Sequence, residues 1–489
     1  MSDKIESEIE SFQRSAPLEK ENIFNKKIIL SDDEQKLVSK YLRKIDMRIL
    51  PIMTLIYILA QIDKSNIGAA LVNGLTEHLK FTKNEQANIT TLFYVTYILF
   101  DVPNNILLKN FRPHIWFGLI GICWGLTCVG LAFAKVPATF ILARMVLGAL
   151  ECGVAPGIIG YLNYWYTRKE VGYRTTIFFL AVPLSGIFGS PLAGALASVK
   201  SKHFEGYQVI FLVEGLITVA VCFVAYFIII DYPDESKFLT DNERELCVRR
   251  LRADVGLATK TKASFSQTVK SLTDWKMWIF AITYFGINNS YVVISLFMPT
   301  IIKGLGYSGT TATYLTTIPY IAGLIGALFA MFLISKMSFH KVIILYGLIA
   351  IIGYIGACFG KGKAFRITFI AIAGFGSMSN IPMFQNWMSI NQGNVYKSLL
   401  GAAFTNSIGS IGGVVSPKLF VSAYGPNYTT GIIYCICVLL FSLILVASLT
   451  FYFDQTNKKR ERDNVDVSHL SEVEQRELQD LHPNFRYIL

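Results

Sequence analysis

Arg144 and Glu151 stand seven residues apart in ARMVLGALECGVAPG, where every other side chain is apolar or small. Seven residues carry an α-helix through almost two turns, with a drift of only about 20°. A helix here puts cation and anion on one face, about 10 Å apart along the axis. That gap is too wide for direct contact and suits a third party: a bound carboxylate, a water or a side chain of another helix. Asp63 with Lys64, adjacent in YILAQIDKSNIG, is the candidate on another helix. The chemistry on offer is reversible: an acid exchanging a proton beside a guanidinium able to hold a carboxylate. The sequence has no nucleotide loop, nucleophile elbow or metal-ligand cluster, so no catalytic residue, metal or cofactor is expected.

Other ionisable groups in apolar surroundings are few. Asp101 precedes Pro103, and Glu214 lies in VIFLVEGLIT. An ionisable side chain at membrane depth is costly and points to function, with helix-to-helix pairing or packing the competing role. All of these residues precede position 232. The later part of the chain offers neutral polar and stacking groups instead, among them Asn288, Gln385, Trp387 and Asn406.

The elements that must position these groups are apolar helices. Of 489 residues, 53% are hydrophobic and 16% charged, against about 25% charged in a typical soluble domain. Runs such as IWFGLIGICWGLTCVGLAFA from 115, VIFLVEGLITVAVCFVAYFIII from 209 and GIIYCICVLLFSLILVASLTFYF from 431 recur along the chain. Each approaches the roughly 20 residues that span a bilayer core as a helix. The expectation is an all-α polytopic membrane protein with about twelve spans. A polar segment at 232–274 separates residues 47–231 from 275–453, which predicts two six-helix bundles with a site at midplane between them. Residues 1–46 and 454–489 read as cytosolic tails, the first without a cleavable leader pattern.

Basic residues favour the cytoplasmic side. Lys40, Arg43, Lys44 and Arg48 precede the first span, and Arg244, Arg249, Arg250, Lys260 and Lys262 fill the central loop, which puts both termini in the cytosol. KGKAFR at 361–366 breaks the rule. The net charge of +11 is ascribed to topology and anionic lipid, not nucleic acid. Ser31 and Glu34 have capping-box spacing for a short helix at 31–46. VSHLSEVEQRELQDLHPNFRYIL reads as an ordinary cytosolic helix. Trp124, Trp165 and Tyr166 read as belt or packing aromatics, and the eight cysteines as small packing residues.

Several stretches resemble one family. KIDMRILPIMTLIYILAQIDKSNIGAA is similar to the first span of the anion:cation symporters of the major facilitator superfamily, in the fungal allantoate permease branch. FYVTYILFDVPNNILLKNFRPHIW (93–116), RMVLGALECGVAPGIIGYLNYWYTRKEVGYR (144–174), VIFLVEGLIT (209–218) and NWMSINQGNVYKSLLGAAFTNSIGSIGGVVSP (386–417) resemble its second, fourth, sixth and tenth-to-eleventh spans in order. The resemblance implies twelve helices in two bundles, alternating access, and proton- or cation-driven uptake of small organic anions. Substrates across the branch include nicotinate, pantothenate and biotin, ureides, dipeptides and sulfur compounds. The family's first-span Asp-Arg pair falls on Asp63 and Lys64, where lysine lacks arginine's planar fork. Its fourth-span Arg and Glu fall on Arg144 and Glu151. Asp101 stands where Glu is usual and Asn104 where Ser is usual.

The expected mechanism is proton-coupled import of a small carboxylate by a monomer in the plasma membrane. Glu151, Asp63 and Glu214 are the proton-coupling candidates. Arg144, Lys64, Tyr94, Gln385, Trp387 and Asn406 are the substrate-binding candidates. Burial and a neighbouring cation act on a carboxyl in opposite directions, the setting a proton-exchanging group needs. Rival expectations are an uncoupled facilitator for the same substrates and a nutrient sensor that does not transport.

Overall fold

Among the described residues, twelve helices of 16 residues or more follow one another: α1 (Asp32–Val72), α2 (Lys83–Leu108), α3 (Pro113–Leu131), α4 (Pro137–Trp165), α5 (Glu170–Ala197), α6 (Gly206–Ile228), α7 (Trp275–Gly304), α8 (Gly309–Ile334), α9 (Phe339–Phe359), α10 (Lys363–Ile390), α11 (Val395–Ser410) and α12 (Thr429–Asp463). They are seen in a computed structural model that describes residues 30–108, 111–199, 202–255, 271–393, 395–421, 424–463, 467 and 478–489. Lys260 and Lys262 lie outside the described residues. Ten of the helices are long and apolar enough to cross a membrane. α2 is more polar, with Asn84, Glu85, Gln86 and Asn88 at its start and Asp101, Asn104 and Asn105 near its end; α11 is short, at 16 residues. No strand occurs among the described residues.

The helix expected at 31–46 is not separate. Its capping box forms, with Ser31 Oγ accepting from Glu34 N at 3.3 Å, but the helix runs on unbroken through Pro51 as α1.

Three helices are interrupted, each for the same reason. α4 breaks after Glu151, α5 after Phe179 and α8 after Leu315. Pro156, Pro183 and Pro319 lack the N–H that would bond the carbonyl four residues earlier, namely Cys152, Phe179 and Leu315. The break in α4 therefore falls directly beside the candidate acid.

Among the first six helices α3 packs on α6, α2 on α4, and α1 on α5 and α6. Among the last six α9 packs on α10 and α12, α8 on α10, and α7 on α11 and α12. The two sets meet along α1–α7, α5–α8 and α2–α11. Small residues allow the approach. A Cβ on Gly68 of α1 would stand 2.5 Å from the Leu296 carbonyl oxygen of α7. Tyr94 of α2 lies flush on Gly413, just past α11, where a Cβ would come within 2.3 Å of the ring. Tyr320 of α8 lies on Gly186 of α5, with 2.1 Å left.

The basic KGKAFR stretch owes part of its place to packing rather than topology. Arg366 is buried, its Nε donating to the Ala357 carbonyl at 2.6 Å and its Nη1 to Asn427 Oδ1 at 2.9 Å.

Polar clamps gather at one end of the helices, the tail end. The helix Asp241–Val255 docks on the first six through Lys44–Glu243 (2.6 Å) and Arg250–Glu170 (2.5 Å). The expected C-terminal helix is corrected over the described residues 478–489: after one turn at Gln479–Leu481 the chain bends and turns through 482–484 and is irregular from there on. Pro483 disfavours a helical residue before it and has no N–H of its own. Asp480, 2% exposed, instead binds Lys276 of α7 and, at 2.8 Å, Lys397 of α11, and accepts from the Tyr487 hydroxyl at 2.8 Å. Burial pushes the Asp480 carboxyl up, but Lys397 and Lys276 outweigh it and hold it below its ordinary 3.8. A lowered carboxyl contributes stability that is complete above its unfolded value and disappears as pH falls through the folded one. Asp480→Asn should cost on the order of 3 kcal/mol, read as a lower Tm at neutral pH. The gap from the parent should close as the pH drops below 3.8.

Candidate functional site

Arg144 and Glu151 share a face of α4, as the spacing requires, and are 0% and 2% exposed. The third party is Lys64 of α1: its Nζ lies 3.8 Å from Glu151 Oε1 and 4.4 Å from the centre of the Tyr97 ring. Arg144 lies over the Phe93 ring at 4.6 Å, and its Nη1 donates to the Asp63 main-chain carbonyl at 3.4 Å. Its Nε and Nη2 have no hydrogen-bond partner, and neither do the two Glu151 carboxylate oxygens. Buried polar atoms are nearly always paired, and each exception costs roughly 1–3 kcal/mol. Two donors and two acceptors on one buried helix face form a concentrated departure from that rule.

Of the expected pair, Lys64 fills the gap, while the Asp63 carboxylate turns away from this face. It accepts from Thr218 Oγ1 at 2.8 Å, Trp124 Nε1 at 3.0 Å and Cys128 Sγ at 3.5 Å, all on α3 and α6. Adjacent residues on a helix point about 100° apart, so Asp63 and Lys64 cannot serve the same cleft. Glu214 of α6 is 2% exposed, with no hydrogen bond to either carboxylate oxygen and Asn66 and Asp63 as neighbours. It belongs to the Asp63 side, behind the Arg144 face.

Tyrosines from both sets of helices close over the charged group. Gln61 of α1 donates to the Tyr291 hydroxyl of α7 at 3.1 Å and faces that of Tyr57 at 3.4 Å. Tyr94 is buried with its hydroxyl in the field of Glu151 and Arg144. Gln385 of α10 is met by the Thr405 hydroxyl at 3.5 Å. Asn406 donates to Asp101 Oδ2 at 3.2 Å. Trp387 stands apart from the others, at the tail end. Its Nε1 donates to the Ile488 carbonyl at 2.9 Å, and its ring packs among Phe280, Phe384 and Phe453.

Sequence reasoning passed over Thr218, Gln61, Tyr57 and Tyr291, and read Trp124 as a belt or packing aromatic. Trp124 is fully buried, a ligand of Asp63 rather than a belt residue. Its place in the middle of the run from 115 was the available signal, because belt tryptophans stand at span ends.

The sequence profile described as Major Facilitator Superfamily matches residues 53–417. The chain is 31% identical over 390 residues to a putative tartrate transporter of Agrobacterium vitis, covering 78% of this chain and 88% of that one. It is 26% identical over 469 residues to the major facilitator-type transporter hxnP of Emericella nidulans, covering 92% and 93%. The xylose transporter XylE from E. coli, in a partially occluded inward-open conformation, superposes with a TM-score of 0.63 at 13% identity, over 82% of this chain and 97% of that one. At that identity the likeness concerns the fold.

Proposed function

We propose that this chain, which belongs to the Major Facilitator Superfamily, carries a small organic anion across the membrane together with a proton. The observation that carries the reading is the Arg144–Glu151 face: a buried guanidinium with two unpartnered donors beside a carboxylate whose nearest cation is Lys64. Ionised, Glu151 competes with an incoming carboxylate for the positive field of Arg144 and Lys64. Protonated, it withdraws from that competition, so proton and anion load together. The cargo's carboxylate then pairs with the Arg144 donors, a charge-assisted bond about twice as strong as a neutral one.

The relative named as a putative tartrate transporter supports an organic acid as cargo, within the class that includes nicotinate, pantothenate and allantoate. Tyr94 is positioned to touch its uncharged part, while Gln385 and Asn406 flank the seam from α10 and α11. Residues 47–231 and 275–453 form the two rocking bundles, with the tail end in the cytosol, the plasma membrane as the site of action and a monomer as the working unit.

The test is proton flux in reconstituted vesicles, acid outside, against a panel of mono- and dicarboxylates. One carboxylate should drive proton entry and itself accumulate, and a protonophore should abolish that accumulation. Uptake that persists unchanged with the protonophore makes the protein an uncoupled facilitator.

A further inference from the structure

At the tail end of the first six helices a cavity of about 790 Å³ opens where the chain leaves α6. Its walls are Arg48 of α1, Arg112 just before α3, and Asp231, Ser236, Lys237 and Phe238 from the segment after α6. The volume falls within the roughly 300–1,000 Å³ typical of small-ligand sites. Three cations against one acid give this space a positive field. From the geometry we infer that it holds the headgroup of an anionic phospholipid, one that carries hydroxyl groups beside its phosphate, as phosphatidylinositol does. The site is separate from the Arg144–Glu151 face and depends on no step of the transport cycle.

Arg48 is the fixed member of the set. Its Nε donates to the Ile228 carbonyl at 2.9 Å, and its guanidinium lies over the Phe238 ring at 4.7 Å. A guanidinium held in this way keeps its two Nη groups for a phosphate, whose oxygens match the planar fork. Lys237 and Arg112 are exposed at the rim, and the uncapped first turn of α3 adds the positive end of a helix. Asp231 decides the rest of the headgroup. It pairs with His114 Nδ1 at 2.6 Å and would repel a bare phosphate. A hydroxyl placed between acid and phosphate turns that repulsion into a hydrogen bond. Ser236, 3% exposed, accepts from the Phe238 N–H at 3.3 Å and keeps its own proton to donate to such a group. The surroundings select a lipid over a dissolved phosphate. α6 ends at Ile228 and α3 begins at Pro113, so the cavity lies where apolar helices give way to polar chain. Met47, Phe111 and Phe227 are exposed and stand one residue from Arg48, Arg112 and Ile228. Acyl chains of a lipid whose phosphate sits among the cations run alongside them. Basic pockets at this depth are where membrane proteins take up acidic headgroups.

The test reads retained lipid rather than uptake. The full chain is placed in nanodiscs of phosphatidylcholine doped with phosphatidylinositol, and lipids that stay bound on release are counted by native mass spectrometry. Phosphatidylinositol should be enriched about ten-fold over its share of the bilayer. Phosphatidylserine, equal in charge but without ring hydroxyls, should be enriched less. Lys237→Gln should lower the retained phosphatidylinositol about five-fold, or about 1 kcal/mol for one cation at a membrane surface. Lys237 is exposed and makes no hydrogen bond or ion pair among the described residues, so the variant should keep the parent's Tm in phosphatidylcholine alone. Arg43→Gln, which removes an exposed cation of α1 outside the lining, should leave retention unchanged. Equal losses in Arg43→Gln and Lys237→Gln would reduce the effect to general surface charge and overturn the site. Equal retention of phosphatidylserine would overturn the hydroxyl-bearing headgroup. Displacement of the lipid by inorganic phosphate would overturn the lipid and make the cavity a site for a soluble anion.

Discussion

Glu151→Gln is expected to abolish acid-driven accumulation while leaving binding and exchange of the cargo intact. One pH unit is worth 1.36 kcal/mol per proton carried. A carrier moving one proton with each anion therefore holds about a ten-fold concentration gradient per unit of pH difference. The glutamine cannot release a proton inside, so the variant should equilibrate its cargo to a ratio of about one at any pH difference. Binding survives because Arg144 keeps its two unpartnered donors and the amide no longer competes with the anion. Counterflow of labelled cargo between vesicles at equal pH separates the two properties. Gradient-driven accumulation by the variant at the level of the parent would remove Glu151 from the coupling role.

Arg144→Lys is expected to weaken cargo binding about a hundred-fold or more, as truncating one partner of a buried charged contact costs about 2–5 kcal/mol. The guanidinium meets Phe93 on its flat side and the Asp63 carbonyl at Nη1, and keeps Nε and Nη2 for the cargo. An ammonium is a point donor and cannot meet all three at once. Equilibrium binding in detergent, well below the midpoint of unfolding, reads the effect directly. Equal affinity in Arg144→Lys and the parent would mean that charge alone suffices and that the fork geometry has no part in recognition.

The shared face of Arg144 and Glu151 was readable in the sequence, and the reason is periodicity. Hydropathy and the helical repeat are local properties, so the order of the helices and the common face of Arg144 and Glu151 follow from counting. What counting cannot supply is the rotation of one helix against its neighbours. Asp63 and Lys64 are adjacent, and which of them faces α4 depends on how α1 is seated, a choice set partly by the contact of Gly68 with Leu296. Of the expected pair Asp63 and Lys64, only Lys64 faces the gap, and that choice is one of rotation. Trp387 illustrates a second limit. Its indole is held by Ile488, 101 positions away in the chain, and no local pattern announces such a contact. Trp124 was readable in part, from its depth in the run, but its bond to Asp63 was not.

The glycines at 413 and 186 carry a consequence for speed. Where Tyr94 and Tyr320 rest on them, the two sets of helices touch through ring faces and bare backbone, with Thr91 Oγ1 donating to the Val414 carbonyl at 3.2 Å beside the first. Lifting a phenol face from such a support exposes about 40–80 Å² of apolar area, about 1–2 kcal/mol by area. A toll of that size is crossed many times a second, so neither support should limit turnover. A single methyl at 413 or 186 would act as a doorstop, wedging the bundles apart without touching the chemistry inside.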